Sequence, residues 1–171
     1  MKRKVFLSFL LFKIIVLLFV YLFPCKGIIP VENASTSSWN SKSFWANPWG
    51  KSVTHKGIDI FAKKHTPVLA TRSGLVIGAG KLSRGGNFVL VLDAHFRFYY
   101  YAHLNEVKTT KFFYVSKGEQ IGSVGNTGNA KGKPDHLHFS IISLAPNPFK
   151  IDDSPQGWKK MFYIDPNEVI I

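Results

Sequence analysis

Four residues in two short stretches are of the types and spacing that metal chemistry needs. In DHLHFSII (135–142) His136 and His138 stand one residue apart at the head of an apolar run, and in HKGIDIF (55–61) His55 precedes Asp59 by one helical turn's worth of chain. Side chains alternate across a strand, so His136 and His138 would project from one face while Leu137 and Phe139 fill the other. Two imidazoles aimed at one region of space suit a metal ion, and a half-buried structural pair would carry the same pattern. His55 and Asp59 could share an ion on a helix, where i and i+4 are neighbours, but Gly57 and the alternating Ile58 and Ile60 speak against a helix. On a straight strand they would lie roughly 13 Å apart at ~3.3 Å per residue, too far for an ion that holds its ligands at about 2 Å. A shared ion therefore requires a curl, with His55 in a turn, Gly57 permitting the bend, Asp59 at a strand start, and both facing one cavity. One carboxylate, one imidazole from here and one from the HLH pair, with a fourth position left to water, is the donor set of a catalytic zinc site.

The elements that must position these groups read as β-structure. Short β-branched and aromatic runs alternate with glycine-bearing turns in GIDIFA, TPVLATRSGLVIGAG, GGNFVLVLDA, FRFYYYAHL, GEQIGSVGNTG and HLHFSII. With almost no 3.6-residue stripe, this texture predicts an all-β domain. FVLVL (88–92) and FRFYYYA (96–102) predict an antiparallel hairpin. At 171 residues the chain can bury one sizeable core. It divides into an N-terminal segment 1–25, a Ser/Asn/Thr-rich linker 26–43, the β-domain 44–144 and a proline-bearing arm 145–171. The arm is expected to pack across the sheet rather than join it, with Trp158, Phe162 and Tyr163 as packing anchors.

Lys2, Arg3 and Lys4 precede a nearly unbroken apolar run from Val5 to Phe23, the pattern of an export signal or membrane-anchor helix. Cys25 raises lipidation, but Leu22-Phe23-Pro24 before it is a poor match to the small residues that processing prefers. It is the one cysteine, so disulfides contribute nothing and a metal site must use His and carboxylate ligands. The formal net charge of +12 stays positive when the bases of the N-terminal segment are set aside. An exported basic domain is disposed to meet anionic cell-wall polymer or lipid headgroups. The bases are scattered rather than gathered with aromatics, which argues against nucleic acid.

HKGIDIFAKKHTPVLATRSGLVIGAG, GGNFVLVL, YYYAHL and KGEQIGSVGNTGNAKGKPDHLHFSI, in that order, resemble the lysostaphin-type zinc metallopeptidases, also called the LytM-domain family. The resemblance runs from about Asn47 to Ile142. It implies an antiparallel β-sheet or β-roll sandwich of the LytM-domain type and hydrolysis of peptide bonds in peptidoglycan stems or cross-links. It also implies one Zn2+ per chain, held by His55, Asp59 and His138, with His103 and His136 as the non-ligand catalytic pair. The implied chemistry is attack of a zinc-activated water on the scissile carbonyl. No H-E-x-x-H helix is present, so histidines must handle the protons. The expected location is the periplasm or cell envelope, exported or held to the cytoplasmic membrane by the N-terminal segment. Two other readings compete. One is a non-hydrolytic LytM-like module that regulates other wall hydrolases, and the other a structural zinc site, which usually closes with cysteine among four protein ligands.

The remaining histidines are expected outside the chemistry, His65 as a turn residue with an unusual backbone angle and His95 as a solvent-facing turn residue. Asn87 lines the groove or makes a turn hydrogen bond. GNTGNAKGKPD (125–135) is a loop placed to wall the groove, and Asn33 or Asn40 of the linker could reach the fourth zinc position as an inhibitory ligand.

Overall fold

The computed structural model describes residues 2–22 and 26–170. Cys25, and with it the question of lipidation or cleavage there, lies outside the described residues. Helix α1 spans Lys2–Leu22. Its side chains from Lys4 to Ile15 are exposed, and among the described residues no helix is long and apolar enough to cross a membrane. The expected anchor therefore rests on the sequence pattern alone.

Among the described residues the domain is built from β1 (Ile58–Phe61), β2 (Pro67–Leu69), β3 (Gly74–Leu82), β4 (Gly86–Leu92), β5 (Arg97–Leu104), β6 (Glu106–Val107), β7 (Tyr114–Val115), β8 (Gln120–Ser123), β9 (His136–Ser143) and β10 (Tyr163–Ile164), with a last helical turn, α2, at Asn167–Ile170. They form two antiparallel sheets. The larger runs β1-β9-β5-β4-β3-β7 with β10 also on β9, and the smaller runs β2-β8-β6. The all-β expectation holds, and β4 and β5 form the expected hairpin, Leu92 facing Phe98.

Strand alternation sorts the two faces of the large sheet. Ile58, Ile60, Tyr99, Tyr101, Leu137, Phe139 and Ile141 are fully buried and share one cluster with Val68 and Ile121 of the small sheet. Each such side chain contributes roughly 1.5–3 kcal/mol by leaving water. The alternate positions Asp59, Tyr100, Ala102, His136 and His138 line a cleft on the other face. The core thus fixes the register in which the cleft residues meet, because a one-residue slip would exchange the two faces.

Several expectations are corrected. The arm does join the sheet: Tyr163 and Ile164 pair with Ile142 and Ile141 of β9, since β9 would otherwise leave that backbone edge unpaired. Trp158 is exposed, so of the three aromatics it does not anchor the arm. Residues 26–43, expected as a linker, send Val31 and Trp39 into the core, and Trp39 Nε1 donates to Asn167 Oδ1 at 2.8 Å. His95 is buried rather than solvent-facing: Asp93 Oδ1 accepts the amides of His95 and Arg97 (2.9 and 3.1 Å) and folds the turn inward. His65 does adopt a left-handed backbone, φ 71°.

Candidate active site

β1 and β9 set Asp59 directly opposite His138. His55 lies just before β1, beyond Gly57. That glycine has no left-handed φ, so it serves less as a hinge than as a gap: a Cβ there would stand 2.3 Å from the Phe139 carbonyl oxygen. The missing side chain lets the chain hug β9 and swing His55 over Asp59. His55 Nε2, His138 Nδ1 and Asp59 Oδ1 then form a triangle with sides of 3.1, 3.1 and 2.8 Å, and the three residues could hold a metal ion.

The groups behind the imidazoles decide which atoms face inward. His55 Nδ1–H donates to the Ser43 carbonyl at 3.0 Å. Ser140 Oγ donates to the Lys56 carbonyl at 2.6 Å, so its remaining lone pairs accept from His138 Nε2–H at 3.0 Å. Both inward nitrogens are therefore bare lone pairs, and they crowd against a carboxylate oxygen. Such a trio lacks a positive charge at its centre. A tetrahedral ion with N and O ligands at about 2.0–2.1 Å would set them about 3.3 Å apart, close to the spacing here. An outer nitrogen committed as a donor is also what orients a ligating imidazole. Burial, with His55 and His136 nearby, pushes His138 below the usual imidazole range against the pull of Asp59 and keeps its lone pair available. Burial works against the Asp59 carboxylate, and the pull that lowers its carboxyl comes from His138 and His55 only when their inward nitrogens carry protons, the role a bound cation would take over. The Trp49 indole lies flat on the His55 ring, centroids 4.1 Å apart and planes 15° apart.

His103 and His136 border the same space, with ring centroids 5.1 Å apart. His103 reaches it through an irregularity. The β4–β5 register shifts between Asn87 and Val89, leaving an extra residue in β5, and His103 has φ 63°. Regular alternation would send it to the core with Tyr99 and Tyr101; the bulge re-aims it into the cleft. His103 Nδ1–H donates to the Thr127 carbonyl (2.9 Å) and His136 Nδ1–H to the Pro134 carbonyl (2.7 Å), leaving each Nε2 as an acceptor. His136 Nε2 lies 4.0 Å from Asp59 Oδ2. Burial, helped by His138 and His136, pulls His103 down to about 4.

The cleft holds about 990 Å³ and takes in His55, Asp59, His103, His136 and His138. All five residues expected to carry chemistry are thus brought together. Asn87 is not in the lining; its Nδ2 donates to the Asn105 carbonyl and its amide to Thr127 Oγ1, which ties the loop that orients His103. Neither Asn33 nor Asn40 lines the cleft, and the Asn40 side chain accepts from Lys42 N. Ser43, Thr127, Pro134 and Ser140 went unnoticed in the sequence, three of them because they act through backbone carbonyls that leave no trace in residue type.

The profile of Peptidase family M23 matches residues 53–150, a span that takes in β1 through β9. The chain belongs to peptidase family M23. It is 32% identical over 114 residues to peptidoglycan DD-endopeptidase ShyA of Vibrio cholerae, covering 66% of this chain and 26% of that protein. The M23 chain therefore spans about a quarter of the length of that curated relative. Among solved structures, the catalytic domain of the antimicrobial peptidase lysostaphin from Staphylococcus simulans superposes with a TM-score of 0.60 at 26% identity, over 73% of this chain and 86% of that one. A zinc containing peptidase from Vibrio cholerae does so with a TM-score of 0.54 at 27% identity, over 68% and 35%.

Ser140→Ala in this M23 chain removes the acceptor that fixes the His138 tautomer. Metal affinity is expected to fall about 10–100-fold, measured by competition with a chromophoric chelator. Unchanged affinity would show that the Ser140 contact does not set the ligand's orientation.

Proposed function

We propose that this chain is an exported zinc metalloendopeptidase that hydrolyses peptide bonds in peptidoglycan stems or cross-links. The observation that carries the reading is the triangle of bare lone pairs on His55, Asp59 and His138 with two further imidazoles aimed at the same space. The names of its relatives supply the substrate class. When bound, the ion supplies Lewis acidity, polarising a carbonyl and making a water more acidic. The chain's own residues do the rest. His55, Asp59 and His138 hold the ion, and Trp49 covers the outer side of His55. His103 and His136 present Nε2 acceptors that take a proton from the attacking water and return it, as N–H donors, to the developing oxyanion or the leaving amine. Their carbonyl partners keep each Nδ1 protonated throughout, so that the proton is exchanged at Nε2.

The N-terminal segment, with Lys2, Arg3 and Lys4 ahead of its apolar run, supports export or a hold on the cytoplasmic membrane, and with it activity in the periplasm or cell envelope. A non-hydrolytic regulator would need no intact ligand set, whereas here His55, Asp59 and His138 stand together as a group that could hold a metal ion.

The test is incubation with purified peptidoglycans of defined cross-link type, with fragments identified by mass spectrometry. Cleavage of a peptide bond that stops with a zinc chelator and returns with zinc is the expected result. Stoichiometric zinc with every wall type intact would overturn the enzyme reading.

The His103 shift makes a separate prediction for the metal-free chain. An imidazole ionises near 6.5 when unfolded and here near 4 when folded. As pH falls from about 6.5 to about 4 the unfolded chain therefore takes up a proton that the folded chain refuses, and stability drops. His138 and His95 shift in the same direction. The urea midpoint should fall steadily from pH 6.5 to 4 and be flat above; a midpoint rising on acidification would contradict the burial of neutral imidazoles.

A further inference from the structure

The row of imidazoles lies between two walls, each assembled from two distant pieces of chain. On one side residues 45–56 meet 155–159, with Trp45 Nε1 donating to the Pro155 carbonyl at 3.2 Å and Thr54 Oγ1 to Gln156 Oε1 at 3.4 Å. On the other, Arg84 and Gly85 meet 129–133, with Asn129 N donating to the Arg84 carbonyl at 2.9 Å. The first wall carries Lys51 and Lys159 to the cleft, the second Arg84 and Lys133. Lys56 also lines it, but its Nζ is spent on the Ser52 carbonyl and Thr54 (3.0 and 2.9 Å). The single carboxylate in the lining is Asp59, which belongs to the ligand triangle.

Among the described residues no carboxylate pairs with Lys51, Arg84, Lys133 or Lys159. Beside the first wall Lys160, the neighbour of Lys159, pairs with Asp152. An acid thus stands beside the first wall, while the carboxylate of the lining, Asp59, belongs to the ligand triangle. A concave site lined by one sign of charge focuses its field on whatever enters, and here that field favours anions on both sides of the reacting centre. We propose that the cleft reads free carboxylates on its substrate: Lys51 and Lys159 on one wall, and Arg84 and Lys133 on the other, engage acidic groups flanking the scissile bond. The preferred cross-link is then one that carries such groups, in contrast to a neutral glycine bridge or an amidated stem. Arg84, with a planar fork of donors, suits a bidentate carboxylate, and the lysines act as point charges. This inference rests on the peptidase reading of the same site.

The test uses the full chain with zinc and two cross-linked stem peptides that differ only in bearing carboxylate or carboxamide beside the scissile bond. The expected kcat/KM ratio is about tenfold in favour of the carboxylate at low salt, shrinking as ionic strength rises. Lys159→Met combined with Arg84→Gln should bring the ratio close to one, whereas Lys117→Met, an exposed lysine away from the cleft, should leave it as it was. Both peptides cut equally, with no salt dependence, would overturn the inference and leave the peptidase standing. If neither is cut the peptidase reading fails, and binding of the two uncut peptides to the same protein decides the matter. Tighter, salt-sensitive binding of the carboxylate form supports charge reading by the cleft; equal or no binding overturns it.

Discussion

His138→Ala is expected to lower peptide-bond cleavage by at least about a thousandfold and to abolish stoichiometric zinc binding. The argument is geometric. His138 Nδ1 is one corner of a triangle whose other corners lie 3.1 and 2.8 Å away, whereas His136 Nε2 stands 4.0 Å from the other Asp59 oxygen and outside that triangle. Two ligands from one short stretch, His55 and Asp59, would remain. The variant separates loss of metal from loss of fold. Zinc at a hundred times its Kd should stabilise the parent chain by about 2.7 kcal/mol and the variant hardly at all. Without metal the variant should stay close to the parent in stability, because relief of two contacts between lone pairs offsets the lost bond to Ser140 and the lost ring packing. A variant that lost cleavage but kept its zinc-dependent rise in Tm would remove His138 from the ligand set.

His136→Ala and His103→Asn should each lower kcat by roughly 10²–10⁴-fold while zinc stoichiometry is retained and KM changes little. Asparagine is chosen at 103 because that backbone has φ 63°, a region that Asn tolerates and alanine does not. Its side-chain amide can also replace the bond to the Thr127 carbonyl. The two imidazoles serve one proton path, so the double variant should be little worse than the more damaging single one. Rates within about threefold of the parent for both single variants, with metal still bound, would leave the protons to some other group.

Much of this cleft was legible in the chain. Period-two alternation in HLHFSII separates His136 and His138 from Leu137, Phe139 and Ile141. The impossibility of spanning a straight strand between His55 and Asp59 predicts the curl that brings them together. The hinge expected of Gly57 was the wrong mechanism, because close packing against β9 carries no signature distinct from a turn. His103 is the instructive case. Its motif was readable by resemblance, but strand periodicity alone would bury it beside Tyr101, and a bulge is a property of two strands in register rather than of one. The cationic walls were invisible for a similar reason: Lys51, Arg84, Lys133 and Lys159 are scattered along the chain and become neighbours of one cleft only through the fold. The arm was read as peripheral because its prolines break periodicity, although Tyr163 and Ile164 complete the sheet at β9.

The wall that joins residues 45–54 to 155–156 bridges sequence separations of 110 and 102 residues. A chain is made N-terminal end first, so His55 and Asp59 exist long before His138 arrives to close the ligand triangle, and longer still before the second half of that wall. From residue 59 until residue 138 the nascent chain carries two of the three candidate ligands and no groove. The proposed activity is therefore timed by chain order: a product interrupted before residue 155 keeps the central strands and even the three candidate ligands, yet lacks the surface against which a substrate would lie.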